Sequence, residues 1–358
     1  MKHIALLLSR AILTNFLLMV FGMSLILITI EIIIYLNNIL HHSNDSFWGV
    51  AQYIWVRLPS MLSLFWPIAM LLATLVSLAT LGYRNELTAI WAAGYSPMRL
   101  IILLLPLGLA LGVAHFVLSD RLAPMGERVL NAWGVGDAAI RSHQRDSSGA
   151  TWLRAGGDIV RVGRIGRGGR VLRDIIVFRR GDDGLLRQQI HAARAEFRAG
   201  GWLLRDVTII RPGSRQVRRL KTLPYDGDLS FAMTGSKYGH PDEMTLNDLR
   251  HYIAHGGYGL KPVHVYRTWW HKRLALLLVA WLMMAAMIPL AVRFRRDKLV
   301  TYLFGYGFAI GLSFFIFDRI ATTFGEVGLV PPWMAAWFPI GVLGLVAAAL
   351  VLRVEHVR

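Results

Sequence analysis

The chain is 358 residues long, 55% hydrophobic and 17% charged, with no cysteine and a formal net charge of +17. Its apolar residues gather in blocks of about 20, which excludes an ordinary soluble enzyme. The lack of cysteine excludes a disulfide scaffold, a thiolate metal site and a cysteine nucleophile.

In chain order the nearly uncharged runs are Ala11–Leu36, Leu58–Gly82, Leu100–Ser119, Leu274–Val292, Leu299–Phe317 and Trp333–Leu352. Each can cross a hydrocarbon core of about 30 Å as a helix rising about 1.5 Å per residue. The first run is too long for a signal-peptide core and lacks a small-x-small cleavage site, so it reads as a retained helix. Six spans place both termini on one side. The short segments on that side hold Lys2, Arg10, Arg84, Arg99, Arg293, Arg295, Arg296, Lys298, Arg353 and Arg358. The short loops opposite hold Arg57 and Arg319. Basic residues stay in the cytoplasm, so both termini are expected there.

Between spans three and four lies a long polar insert, 120–272. From Asp120 to Arg273 there are 27 basic and 15 acidic residues. This charge does not oppose an extracytoplasmic location, because long domains translocate largely regardless of it. Leu172–Phe178 and Trp202–Ile210 are rich in β-branched residues. Turn chemistry stands at Asp182-Asp183-Gly184, Gly200-Gly201 and Pro212-Gly213. Strand-like pieces recur about every ten residues from Thr151 to Phe231, as in a small sandwich or roll. Thr245-x-x-Asp248 reads as a capping box opening a short helix that ends at His255-Gly256-Gly257. Trp269-Trp270 would then mark the membrane surface before span four. The fold class is therefore an α+β membrane protein: transmembrane helices 1–3 in 1–119, a β-rich domain in 120–272 and helices 4–6 in 273–358.

No lysine follows a glycine, so the chain has no phosphate loop for ATP. HExxH, GxSxG and EF-hand spacings are absent, and the twelve histidines show no metal-ligand spacing. Neither a catalytic nor a metal site is expected. Three polar positions lie in or at the rim of the spans. Glu31 either lines a cavity or marks an interfacial helix end. Asp318-Arg319 ends span five as adjacent opposite charges, which are anchors or have a functional role. His115 in span three is a packing residue or a functional one. Gly108-x-x-x-Gly112 and Gly307-x-x-x-Gly311 permit close helix contacts, within the chain or with a partner. Pro67 and Pro106 fall inside spans two and three, where they would permit kinks.

The segment 83–99, YRNELTAIWAAGYSPMR, has a polar start at Arg84, Asn85 and Glu86 and one apolar face with Leu87, Ile90, Trp91 and Gly94. Gly94 would end the helix, and Ser96-Pro97 would cap the next. A short amphipathic helix with an exposed Trp91 needs cover from lipid or from a partner's groove. Few basic residues favour a protein partner.

Pro59-Ser-Met-Leu62, Phe65-Trp-Pro-Ile68, Tyr83-Arg-Asn-Glu-Leu87 and Ala93-Gly-Tyr-Ser96 resemble the LptF/LptG family of lipopolysaccharide export permeases. So do Ala123-Pro-Met-Gly-Glu127, Trp152-Leu-Arg-Ala-Gly-Gly157, the helix Met244–His255 and Trp270-His-Lys272. Asp318-Arg-Ile320, Gly328-Leu-Val-Pro-Pro332 and Ala336-Trp-Phe-Pro339 look like its LptG branch. The likeness runs in order along nearly the whole chain. It implies a multi-pass inner-membrane subunit with a periplasmic β-jellyroll, paired with an LptF-type sister above two LptB-type ATPases. Such an assembly extracts lipopolysaccharide and passes it to LptC- and LptA-type proteins. ATP is then bound by the partner, with no cofactor in this chain and no nucleic acid involved. The helix in 83–95 becomes a coupling helix carried by Arg84, Glu86, Leu87, Ile90, Trp91 and Gly94, and spans one and five would line lateral gates. Where relatives often carry basic residues near the end of span one, this chain has Asn37, Asn38, His41 and His42. Lipid contacts would fall to Arg57, Arg121 or Arg128, with Glu31, Asp318 and Arg319 as further candidates. A different ABC-type membrane subunit and a membrane-embedded lipid-modifying enzyme are the alternatives.

Overall fold

The computed structural model describes residues 2–42, 48–133, 151–155, 158–166, 170–181, 185–198, 201–213, 217–227, 229, 241–254, 261–293 and 300–355. It divides into two compact units, Met1–Gly136 with Arg267–Arg358, and Asp137–Tyr266.

The first unit is helical. Its elements are α1 (Lys2–His42), α2 (Trp48–Tyr83), the short α3 (Glu86–Ala92) and α4 (Pro97–Leu103), then α5 (Leu105–Val117) and α6 (Ala123–Trp133). A π-helical turn, Leu118–Leu122, joins α5 to α6. Six helical stretches among the described residues are long and apolar enough to cross a membrane: His3–Leu40, Trp48–Tyr83, Leu105–Leu130, Val263–Ala291, Gly305–Val327 and Pro332–Val354.

The third span departs from the expected Leu100–Ser119. The chain breaks at Leu104 and restarts with Pro106 in the first turn of α5. Proline has no N–H to donate into a preceding turn, so it opens this helix rather than kinking it. Past Ser119 the helix runs on through the π-turn into α6, which is why the second compact unit begins at Asp137 rather than at 120. Pro67, by contrast, does sit inside α2, as does Pro59.

Packing follows residue spacing. On α1, Leu8, Ile12, Phe16, Val20, Ser24 and Ile28 are buried at every fourth position, and Leu6, Leu18, Ile26, Ile33 and Ile34 lie exposed on other faces. One stripe thus meets the protein and the remaining apolar surface does not. Asn15 within α1 donates to the Ser77 hydroxyl of α2 at 2.8 Å. The last three helices are α7 aside: α8 (Val263–Arg293), α9 (Val300–Val327) and α10 (Pro332–Glu355), with α7 (Leu246–Ala254) preceding them in the second unit. In α8, Ala280, Met283, Met284, Ala286 and Met287 are fully buried. The small residues set these contacts. A Cβ added at Gly108 would meet the Trp281 Cα at 2.9 Å, and one at Gly112 would strike the Leu277 carbonyl. Gly307 and Gly311 seat Leu75 and Leu71 of α2. Both glycine pairs therefore serve contacts inside the chain.

The second unit holds one antiparallel sheet of β1 (Thr151–Ala155), β2 (Asp158–Ile165), β3 (Val171–Arg180), β4 (Leu186–Arg198), β5 (Gly201–Ile210) and β6 (Val217–Tyr225), in sequential order. One face is apolar and buried, including Val160, Val162, Leu172, Ile175, Val177, Ile190, Ala192, Ala195, Trp202, Leu204 and Val207. Alternation breaks in the middle of the strands. Leu172 and Ile175 are both buried, as are Ala192 with Ala195 and Leu204 with Val207. Asp174 and Asp206 sit at the break with φ of 54° and 53°, and β2 has Gly163 there, where an added Cβ would meet Asp174 Oδ2 at 2.6 Å. A side-chain pattern with period two needs such a defect to keep one face inward across a bend.

The sheet folds over at that crease. In a flat sheet β2 and β6, four strand spacings apart, would be separated by about 19 Å. Yet the Tyr225 hydroxyl donates to Asp158 Oδ2 at 3.2 Å, with Arg179 Nε 3.4 Å from the same oxygen. The result is a roll around an apolar interior. Burial and the Asp158 carboxylate raise the Tyr225 phenol above its ordinary value. Beside the sheet, Thr245 and Asp248 form the expected reciprocal cap of α7: Thr245 N donates to Asp248 Oδ2 and Asp248 N to Thr245 Oγ1, both at 3.2 Å. The Asp182–Gly184 turn and the His255–Gly257 helix end lie outside the described residues.

Candidate functional site

The helix α3 connects α2 to α4. Asn85, in the left-handed region at φ 61°, precedes it. It ends in a Schellman motif: Gly94 N donates to Trp91 O at 3.0 Å and Tyr95 N to Ile90 O at 3.4 Å, with Gly94 at φ 81°. Ser96 then caps α4 by accepting from Arg99 N at 3.3 Å, ahead of Pro97. The expectation of an exposed Trp91 is overturned. Leu87, Ile90 and Trp91 are 3%, 7% and 6% exposed and belong to the chain's own core. Turns stand at both ends of α3, and its apolar face is covered from within the chain. What faces outward is Tyr83, Arg84, Asn85, Ala89, Ala92, Ala93, Gly94, Met98 and Arg99, with Glu86 half-buried. A partner at this helix would meet that polar, small-residue end.

A second cluster gathers residues from three helices. Arg57 of α2 grips Glu31 of α1 with both arms of its fork, Nε to Oε2 and Nη2 to Oε1, each at 2.8 Å. Its remaining nitrogen, Nη1, pairs with Glu127 of α6. Tyr53 donates to Glu31 Oε2 at 3.1 Å. Glu31 is one wall of an ion cluster. Arg57 turns toward that cluster. Gly126 lets α6 approach close enough, since a Cβ there would strike the Val56 carbonyl. Sequence reasoning assigned no site role to Tyr53 or Glu127. The available signal was the Ala123–Glu127 stretch, where a carboxylate follows a span. Arg121 and Arg128 are exposed on the same segment.

A third cluster joins α8 and α9. Lys272 donates to Asp318 Oδ2 at 2.7 Å and to Thr322 Oγ1 at 2.6 Å, and its ammonium lies 5.4 Å from the Trp269 ring centre. Trp269 Nε1 donates to Glu326 at 2.6 Å. Adjacent Arg319 points elsewhere, over Phe315 at 5.4 Å, and is exposed. Asp318 and Arg319 therefore do not act as a pair. The helical stretch long and apolar enough to cross a membrane begins at Val263, earlier than the expected Leu274, and Lys272 inside it is partnered by Asp318 and Thr322. Arg273 likewise donates to the Ser119 carbonyl at 2.5 Å and to its hydroxyl, bracing the π-turn.

His115 is buried. Its Nε2 lies 3.1 Å from the Ser63 carbonyl, and its ring stacks on Trp66 with centroids 5.2 Å apart. These contacts hold the ring between Ser63 and Trp66. Glu31, His115 and Asp318 each belong to a separate set of partners and form no common catalytic group.

The comparisons with known proteins bear on this arrangement. Residues 7–353 match the family model described as Lipopolysaccharide export system permease LptF/LptG. Two curated relatives from two strains of Escherichia coli, both described as Lipopolysaccharide export system permease protein LptG, are 24% identical over 327 residues. The aligned stretch covers 85% of this chain and 86% of each relative.

Proposed function

The chain belongs to the LptF/LptG family of lipopolysaccharide export permeases, and from that premise we propose that it is the LptG-type half of an ATP-driven exporter. Its sister is an LptF-type permease, and two LptB-type subunits bind the ATP beneath them. It sits in the inner membrane with both termini in the cytoplasm and the β-roll in the periplasm, where the roll hands lipopolysaccharide toward LptC- and LptA-type proteins.

The observation that carries this reading is the roll itself. Its interior is lined by Val160, Leu172, Ile175, Ile190, Trp202 and Leu204, an apolar lining suited to acyl chains. Two further features agree. In the apolar stretches of α1 and α9 only 17% of residues are buried, against 72% in α8. Spans one and five therefore keep apolar surface for lipid or a second permease, as lateral gates require. And α3 presents Arg84, Glu86 and the Ala92–Gly94 end to an ATPase groove, held rigidly by Leu87, Ile90 and Trp91.

The test is purification of the tagged chain in mild detergent with mass spectrometry of proteins and lipids. An ABC ATPase, a second six-span protein and lipopolysaccharide are expected together. Recovery of the chain alone, free of glycolipid, overturns the reading.

A further inference from the structure

The outer face of the roll carries a row of arginines that export through the interior does not use. At the crease, four adjacent strands each turn two successive residues outward: Gly163 and Arg164, Arg173 and Asp174, Ala193 and Arg194, Arg205 and Asp206. The arginines stand directly opposite one another, Arg164 to Arg173, Arg173 to Arg194 and Arg194 to Arg205. Four guanidinium side chains in register span about 15 Å across the strands.

Like charges directly opposite destabilise a sheet. The neighbours offset this only at one end. Glu196 lies 3.6 Å from Arg194 and 3.1 Å from both Arg198 and Arg205. Asp174 turns to Arg161 at 3.5 Å, and Asp206 is exposed next to Arg205. Among the described residues, Arg164 and Arg173 meet no carboxylate within ion-pair distance. A half-neutralised row of forks, each able to offer paired N–H groups to a phosphate, is complementary to clustered anionic oxygens.

We propose that the Arg164–Arg173–Arg194–Arg205 row is a binding site for clustered phosphate groups, carried either by the saccharide of a glycolipid or by a free polyphosphate. The glycolipid case rests on the function proposed above and deepens it: acyl chains would use the apolar interior and phosphates the outer ridge. The site itself needs only the geometry of the sheet.

The full-length protein in phosphatidylcholine nanodiscs is titrated calorimetrically with tripolyphosphate. Arg164→Gln with Arg173→Gln should weaken binding at least tenfold. Arg218→Gln with Arg219→Gln, which removes equal charge from β6, should change it less than twofold. Glu196→Gln frees Arg194 and Arg205 and should tighten binding severalfold. No binding by the native chain, or equal loss in the two double variants, overturns the site. If the first double variant does not fold, Glu196→Gln decides: unchanged or weaker binding overturns it. Intact and dephosphorylated lipopolysaccharide separate the sources. A glycolipid ligand predicts that the first double variant loses affinity only for the phosphorylated form. Loss for tripolyphosphate alone assigns the site to a free polyphosphate. None of these titrations depends on recovering an ATPase or a sister subunit, so the two readings fail separately.

Discussion

The helices α8 and α9 are both long, apolar spans, yet 72% of the apolar stretch is buried in one and 17% in the other. Hydropathy says that each can cross a bilayer. It does not say whether the neighbour is protein or lipid. Glycines alone do not make the difference, since Gly307 and Gly311 of α9 also seat Leu75 and Leu71; what differs is how many faces of the helix are covered. Gly108 and Gly112 on α5 bring a backbone against α8, while α9 keeps Tyr306, Phe308, Leu312, Ile316, Ile320 and Phe324 exposed. One helix is a hub and the other a boundary.

The sharpest way to break this contrast is one substitution in each region. Gly112→Val drives a side chain into the Leu277 carbonyl and should cost about 3 kcal/mol, the upper range for overpacking. Gly305→Val on α9, where an added Cβ meets nothing within 4 Å, should change stability by less than about 0.5 kcal/mol. Unfolding in detergent read by circular dichroism compares them; equal losses would refute the hub and boundary distinction.

Next in size is the ion cluster. Removing Arg57 leaves Glu31 and Glu127 facing each other with little solvent. Arg57→Ala should cost about 2 kcal/mol, discounted from the fully buried case because these side chains are 16–18% exposed. Adding Glu31→Gln should recover part of that loss. A double variant that is no better than the sum of the singles would show that the two do not interact.

The short helix α3 separates support from contact. Leu87→Ala should destabilise the helical unit by about 2 kcal/mol, since Leu87 is 3% exposed in the core. Arg84→Ala and Glu86→Ala should leave the melting curve within about 0.5 kcal/mol of the native chain. They should instead weaken co-purification of the ATPase. Unchanged recovery of the ATPase in both would remove the docking role from this end of the helix.

The smallest effect is confined to the roll and to alkaline pH. The Tyr225 phenol is raised in the folded state, so above about pH 10 the unfolded chain loses its proton first. The folded state then binds more protons, and stability falls as pH rises, by up to about 1.4 kcal/mol per unit. Tyr225→Phe should flatten that slope. A slope unchanged by the substitution would place the sensitivity elsewhere.

Much of this architecture was legible from residue order. Six apolar runs located six spans, Ser96-Pro97 and Thr245-x-x-Asp248 located caps, and Gly94 located a helix end, because each depends on neighbours within a few residues. The roll was legible as strands and turns, but not its crease, which needs Gly163, Asp174 and Asp206 to line up across strands. The same limit explains the errors. Trp91 looked exposed because its helix is amphipathic, and nothing local shows that the core covers it. Asp318 and Arg319 read as a helix-end anchor or a functional feature because they are adjacent, and nothing local shows that Asp318 finds Lys272 on another helix.

Residue order by itself determined the class of this protein: spans of membrane length, a polar insert with strand periodicity, and no phosphate loop or metal spacing. Those properties are sums over short windows. Tertiary structure alone decided which charges are paired, which apolar faces are covered and which arginines stand in one row. Those depend on contacts such as Glu31 with Arg57, or Arg173 with Arg194, between residues distant in the chain. No local window contains both partners.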